Sequence, residues 1–326
     1  MRLLTLSDGT RDGRLHQVDR DGARVLPLAE ARTLQEAMDH WETVLPGLRA
    51  AQERLDADPE LGEPFDPARA LAPFPRACQW LDGSAFETHS LLIQRAWGLP
   101  VTGLPERPLM YQGLSDRFLP PNGVARFPSE ADGIDFEGEF AVVLGDVPMG
   151  TPAEEAARHV RLVMLVNDWS LRALGPVEMA TGFGWLQCKP ACAAAPFAVT
   201  PDELGPAWDR ARVCLPLEIL RNGTPFGRAN GSEMHVGFDR LIAHAAYSRD
   251  LPAGTILGSG TVANAAYAEV GSSCIAERRA IEQLEGGAAT TPFLATGERV
   301  EMRARRPEGG DLFGPFIQTV QAGSGG

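Results

Sequence analysis

The chain has 326 residues, 44 % of them hydrophobic, which is enough for one large domain or two unequal ones around a sizeable core. Its formal net charge is −13, which argues against nucleic acid and anionic membranes as partners, because phosphate binding needs clustered Lys and Arg. The 35 Gly and 26 Pro call for many tight turns and lean towards a β-rich architecture.

Cys78, Cys188, Cys192, Cys214 and Cys274 are odd in number, scattered and free of any CxxC. Reduced thiols in a cytoplasmic protein are therefore expected, rather than a disulfide framework or a zinc ribbon. The opening MRLLTLSDGT regains charge by Asp8, too soon for a signal peptide. No apolar run reaches the roughly 18–20 residues of a membrane span.

In chain order, residues 1–28 are short apolar pieces separated by Asp8-Gly9-Thr10 and Asp21-Gly22-Ala23-Arg24, which have the chemistry of hairpin turns. Leu34, Ala37, Trp41, Leu45 and Leu48 recur at helical spacing and predict one helix over 33–57. The Pro- and acid-rich stretch 58–75 reads as a linker, with a boundary near residue 70. The expected organisation is a small N-terminal α+β domain at 1–72 and a larger one at 73–326. Ser84 and Glu87 have the spacing of a capping box for a helix over 84–97. Residues 134–145 and 161–168 read as strands, with a helix at 151–160 begun by Thr151 and Pro152. Asn222-Gly223 predicts a hairpin within 215–229, and 238–248 a short helix. From 255 to 303, β-branched runs alternate with Gly-rich turns and predict strands, and a short Gly-Ser tail closes the chain at 323–326. The sum is α+β with a dominant β component.

The run Ile134-Asp135-Phe136-Glu137-Gly138-Glu139-Phe140-Ala141-Val142-Val143-Leu144 is the most informative segment. In a regular strand, side chains alternate faces, so Asp135, Glu137 and Glu139 would share one face and Phe136, Phe140, Val142 and Leu144 the other. Burying three acids together is costly unless a cation joins them. A solvated edge strand is the competing reading, and the apolar continuation on both faces speaks against it. A second apolar run, Leu162–Val166, stops at Asn167-Asp168, which puts an acid at a strand end; a turn or capping role is the alternative for Asp168. Glu137, Glu139 and Asp168 are hard oxygen ligands with no His or Cys at ligand spacing, which favours Mg²⁺, Mn²⁺ or Ca²⁺ over Zn²⁺.

Asp135-Phe136-Glu137-x-Glu139-Phe140, then Asn167-Asp168-Trp169-Ser170-x-Arg172, then Gly260-Thr261-Val262 before Gly271-Ser272, resemble the fumarylacetoacetate hydrolase family in order and spacing. The resemblance covers roughly residues 76–320, and residues 1–70 only loosely resemble the small extra domain of the longer members. It implies a rolled mixed β-sheet, a homodimer and a divalent cation, Mg²⁺ first with Mn²⁺ or Ca²⁺ as alternatives. It also implies C–C hydrolysis of a small 2-oxo or 2,4-dioxo acid, with 2-oxo-acid decarboxylation, hydration or isomerisation as the rival. In the family's pattern Glu137, Glu139 and Asp168 match metal-binding carboxylates. Asp82 matches a fourth, seven residues before a catalytic His at His89. Arg172 and Lys189 match substrate-anchoring and oxyanion-stabilising cations, while Tyr111 and Thr261 match substrate contacts. The family pairs its His with a strand Glu that falls by direct count on Ile275; Glu277, two residues on, is the candidate catalytic partner. Leu174-Gly175-Pro176 and Pro190 depart from the pattern, so the pocket differs.

A dinucleotide reading of Gly258-Ser259-Gly260-Thr261-Val262-Ala263 is weak without a following amphipathic helix, and no GxSxG is present. A non-enzymatic binding protein on the same fold is the reading from a different class.

Overall fold

The strand Gly138–Leu144 is apolar on both faces because it lies between two packed layers. In a computed structural model of the chain, which describes residues 1–323 except 59, 103, 105 and 307, it occupies the middle of the larger sheet. The Gly-Ser tail beyond Gly323 falls outside the described residues. Phe140, Val142 and Leu144 face one core, with Leu217, Ile219, Val300 and Met302 of the second sheet. Ala141 and Val143 face the other, with Leu34, Trp41 and Leu48 of the N-terminal helices. The period-two alternation thus holds along this strand.

Among the described residues the larger sheet runs, edge to edge, Glu63–Pro64, Arg24–Pro27, Arg14–Val18, Arg2–Leu6, Phe197–Val199, Val160–Asn167, Gly138–Leu144, Thr255–Gly258, Gln79–Gly83 and Met110–Gln112. Ala193–Ala194 adds a further short pairing to Val160–Asn167. A second sheet has the order Thr224–Asn230, Pro216–Arg221, Arg299–Arg303, Ile317–Ala322, Asn122–Phe127. Both sheets are mixed, each holding one parallel pair, 255–258 with 79–83 and 317–322 with 122–127. The α+β class with large mixed sheets is as expected.

Among the described residues the strands of the N-terminal segment all belong to the larger sheet. Arg2, Leu3 and Leu4 pair with Val199, Ala198 and Phe197, so its hairpins extend the main sheet. Both early hairpins form at the turns read from Asp8-Gly9 and Asp21-Gly22. The single helix expected over 33–57 is two, Leu34–Asp39 and Trp41–Ala57, broken at His40, whose φ of −124° is not helical. Asn222 and Gly223 have φ of 53° and 78°, the two successive positive values that a two-residue hairpin turn requires.

Three further expectations give way to tertiary context. Ser84 and Ala85 lie outside the helix, their N–H groups donating to Leu109 and Ser259 carbonyls, so the helix starts at Glu87 with Phe86 at its N-cap and no side-chain cap. The acidic strand is not continuous. Ile134–Asp135 pairs with Ser170–Leu171, and Gly138–Leu144 pairs with Val160–Asn167, so Asp135 leaves the row of acids. Residues 275–286 form a helix rather than a strand, because the Asp135 carboxylate accepts the N–H groups of Ile275 (2.7 Å) and Ala276 (2.9 Å) and caps its first turn.

Candidate active site

Adjacent strands of the larger sheet bring acids to one end of the fold. Asp82 lies on Gln79–Gly83, Glu139 on Gly138–Leu144, and Asp168 directly follows Val160–Asn167. Between the strands of Asp82 and Glu139 runs Thr255–Gly258, where Gly258 is the register partner of both Asp82 and Ala141. With no side chain at Gly258, the two carboxylates approach across it. A Cβ there would sit 2.3 Å from Asp82 Oδ1 and 3.0 Å from Glu139 Oε2. Asp82, Glu139 and Asp168 each offer an oxygen within 4.8 Å of the others, and all three are buried.

This arrangement fits a divalent cation. Neither oxygen of Glu139 meets a hydrogen-bond donor among the described residues, although the residue is fully buried. Burial, then the neighbouring Asp82 and Asp168, pushes its carboxyl well above the usual range. Burial and then Asp168 do the same to Asp82, whose Oδ1 accepts the Gly260 N–H at 3.2 Å. An all-oxygen, multiply anionic, donor-poor pocket suits a hard cation.

Glu137 lies beside this cluster and faces two cations. Lys189 Nζ donates to Glu137 Oε2 at 2.5 Å and to Asp168 Oδ2 at 2.6 Å, and Arg172 donates to Glu137 Oε1 at 2.6 Å and to Asp135 Oδ2 at 2.7 Å. Burial opposes ionisation of Glu137, but Lys189 and Arg172 override it and hold its carboxyl below the usual range. Burial likewise opposes charge on Lys189, yet Asp168 and Glu137 raise it above an ordinary lysine, so it is a fixed cation at neutral pH.

Asp168 is the hub. Its Oδ2 accepts from the Tyr111 hydroxyl at 2.7 Å as well as from Lys189, and its Oδ1 accepts from the Cys192 thiol at 2.8 Å. Tyr111 is the cross-strand partner of Asp82, which places it over the cluster. The Trp185 ring lies 5.3 Å from Tyr111, and Lys189 Nζ sits 5.5 Å from each ring. Thr261 is buried one residue after Gly260.

His89, on the helix Glu87–Ala96, directs Nδ1 at Glu277 Oε2 at 2.8 Å. Glu277 is fully buried on the helix Ile275–Gly286, and the two helices pack through Leu92, Ala96, Ala280 and Ile281. Helical phase, not strand alternation, thus aims Glu277 at His89, while Ile275 points into the main core. His89 lies within electrostatic reach of Glu137, which ties this pair to the carboxylates.

A cavity of about 940 Å³ is lined by Leu81, Tyr111, Phe183, Trp185, Arg107 and Arg249 among others. Glu178 braces its wall by accepting the N–H groups of Leu186, Gln187 and Cys188. Sequence reasoning missed Cys192, Trp185 and the bracing role of Glu178. None of them carries a local pattern, and each acquires its contact only when distant segments meet.

The chain belongs to the fumarylacetoacetate hydrolase family. The family described as fumarylacetoacetate (FAA) hydrolase C-terminal matches residues 79–321, and fumarylacetoacetase N-terminal domain 2 matches residues 1–76. A 2,4-didehydro-3-deoxy-L-rhamnonate hydrolase of Sphingomonas sp. (strain SKA58) is 28 % identical over 161 residues, 48 % of this chain and 54 % of that protein. The chain thus matches about half the length of that relative. The fumarylacetoacetase of Caenorhabditis elegans is 25 % identical over 237 residues, 64 % of this chain and 55 % of that protein. Among solved structures, maleylpyruvate hydrolase of Sphingobium sp. SYK-6, in complex with manganese (II) and pyruvate, is 16 % identical with a TM-score of 0.65, covering 99 % of this chain and 100 % of that one. The 5-carboxymethyl-2-hydroxymuconate delta-isomerase of Mycobacterium smegmatis gives 18 % identity and a TM-score of 0.62 over 99 % and 100 %. At these identities the structures share the fold.

Among the described residues no helix is long and apolar enough to cross a membrane, and all five cysteines are free.

Proposed function

We propose that the protein is a divalent-metal-dependent hydrolase that cleaves a C–C bond in a β-diketo acid of the acylpyruvate or fumarylacetoacetate type. The observation that carries this reading is the His89–Glu277 pair, an imidazole held at 2.8 Å by a fully buried carboxylate and within electrostatic reach of Glu137. A decarboxylase has little use for a base aimed at water. The manganese- and pyruvate-bound hydrolase of the same fold supports the reading from outside the chain.

Asp82, Glu139 and Asp168 are the ligands proposed for the cation, with Glu137 as the fourth carboxylate of the set. When bound, a divalent cation supplies a Lewis acid that polarises the oxo oxygens and favours enolate charge on the departing fragment. The residues of the chain do the rest. Glu277 engages Nδ1 of His89 and leaves Nε2 for water. An imidazole is suited to take a proton from water near neutral pH. The water oxygen bonds to the distal carbonyl carbon, its proton passes to His89, and Lys189 meets the tetrahedral oxyanion with fixed positive charge. The C–C bond then breaks, its electron pair leaves on the 2-oxo acid fragment, and the proton returns from His89 to that carbon. Arg172, Tyr111 and Thr261 are proposed to hold the substrate, and their positioning lowers the entropic barrier.

The test is product analysis with Mg²⁺ or Mn²⁺ on acylpyruvates, fumarylpyruvate and oxaloacetate. Two acids and no CO₂ are expected, with activity lost in excess EDTA. His89→Ala should lose about 10²–10⁴ in kcat while still binding metal. CO₂ from oxaloacetate, no turnover of any acylpyruvate and an unaffected His89→Ala would establish the decarboxylase instead.

A further inference from the structure

Asp135 lies outside the acid cluster of Asp82, Glu139 and Asp168, yet it is fully buried and both of its oxygens are engaged. Oδ1 accepts the Ile275 N–H at 2.7 Å. Oδ2 accepts both the Ala276 N–H at 2.9 Å and Arg172 Nε at 2.7 Å. One carboxylate therefore joins two parts of the site that come from distant segments. On one side is Arg172, whose other arm reaches Glu137 Oε1 at 2.6 Å. On the other is the start of helix Ile275–Gly286, whose third residue is Glu277, the partner of His89. The surrounding backbone holds Asp135 for both tasks. Asp135 pairs with Ser170, and the Arg172 N–H donates to the Gly133 carbonyl at 3.0 Å, so the arginine leaves this short ladder beside the acid. The helix start is pinned to the same run, because Glu137 bridges to Cys274 and the Gly138 N–H donates to the Ser273 carbonyl at 2.9 Å. Cys274 Sγ accepts the Glu277 N–H at 3.3 Å, so the first three N–H groups of the helix all have acceptors, two of them from Asp135.

We propose that Asp135 is a positioning residue that sets Arg172 and the Glu277–His89 pair in one frame, so that the cation that holds the substrate and the base that activates water keep a constant relation. This rests on the reading above, in which Arg172 holds the substrate and His89 takes the proton. Asp135 touches neither the substrate nor the metal in that reading and acts only through its two partners. A carboxylate suits the place because it accepts from a helix N-terminus and from a guanidinium at once, both in favourable charge arrangement. An amide of the same shape does not replace it. Asparagine keeps an oxygen for one helix N–H, but its NH₂ group is a donor where Arg172 and Ala276 need an acceptor. In a buried site no bulk water makes good the loss, so both partners loosen together.

The test reads both ends in the Mg²⁺-loaded full chain with ¹⁵N-labelled histidine. Oxalate, a chelating dianion that the hydrolysis cannot cleave, is titrated calorimetrically and reports on Arg172. The His89 Nδ1 resonance, assigned by its loss in His89→Ala, reports on the contact with Glu277, and Glu277→Ala supplies the signal of a ring without that partner. Arg172→Gln should weaken oxalate binding and leave the ring signal in place, because Asp135 still caps the helix. Asp135→Asn should do both, weakening oxalate about tenfold, the size typical of groups that orient a ligand set, and moving the ring signal towards that of Glu277→Ala. Asp135→Asn/Arg172→Gln removes both charges of the buried pair, which guards against unfolding by one stranded charge, and should still move the ring signal. A purely structural Asp135 would lower the melting temperature and leave the ring signal of the folded protein where it is. An unmoved ring signal in the folded variants that lack Asp135, or unchanged oxalate affinity in Asp135→Asn beside weakened binding in Arg172→Gln, would overturn the proposal. If Arg172→Gln itself leaves oxalate binding unchanged, Arg172 does not hold the ligand, and the proposal falls with that part of the reading. If every signal behaves as expected and no 2,4-dioxo acid is cleaved, the positioning stands and the hydrolase reading falls.

Discussion

Gly258→Ala isolates the geometry of the proposed metal centre without touching an acid. Gly258 lies in the strand between Asp82 and Glu139, and alanine adds one methyl group there. That carbon would lie 2.3 Å from Asp82 Oδ1, 2.5 Å from the Trp80 ring and 3.0 Å from Glu139 Oε2. To go from 2.3 Å to the 3.4 Å of an ordinary contact, the Asp82 oxygen must retreat by about 1.1 Å. Metal–ligand distances tolerate only about 0.2 Å, so Asp82 can no longer share a cation with Glu139. Metal affinity should fall by about 10–100-fold, the loss typical when the groups that orient a ligand set are disturbed. Repacking against Trp80 should cost a further ~1–3 kcal/mol of stability. Both quantities are measurable, Mn²⁺ affinity by calorimetry and stability by urea unfolding with and without Mn²⁺. The stabilisation conferred by Mn²⁺ should shrink in step with the lost affinity. A folded Gly258→Ala that binds Mn²⁺ within about twofold of wild type would refute the reasoning, because Asp82 would then not belong to the site.

Other perturbations test the surrounding parts. Asp135→Asn leaves Arg172 facing one carboxylate fewer and weakens the cap on helix 275–286; about 3 kcal/mol of destabilisation is expected in urea unfolding, and a change under ~0.5 kcal/mol would contradict the structural role. Cys192→Ala removes the donor to Asp168 Oδ1 and should weaken Mn²⁺ binding about tenfold, with Cys192→Ser restoring it; equal loss in both variants would mean that packing, not the hydrogen bond, matters. The Glu178 carboxyl is held at about 2, first by the Cys188 side chain and then by the Gln187 N–H. Because the folded value is depressed, its contribution is complete above the ordinary 4.5 and is lost as pH falls towards 2. Glu178→Gln should therefore speed amide exchange at Leu186, Gln187 and Cys188 already at pH 7, and unchanged protection there would count against the brace.

Features that depend on a few neighbouring residues are legible in the chain before it folds. Asn222-Gly223 specifies its hairpin because it can supply two positive φ values, and the alternation in Gly138–Leu144 marks a strand buried on both sides. The acids at 137, 139 and 168 stand out because an apolar strand does not carry charge without cause. Which acids meet depends on how distant strands pack. Asp82 and Glu139 are 57 residues apart and face each other because a glycine from a third strand leaves room between them. Asp135, the same kind of residue in the same run, goes instead to Arg172 and a helix start, because the strand breaks after it. Glu277 reads as part of a strand when β-branched neighbours alone are weighed. It becomes the partner of His89 because a carboxylate 142 residues earlier caps the helix that carries it. Propensity is a local quantity, whereas a cap borrowed from another segment or a carboxylate pair across a glycine exists only once the chain has folded.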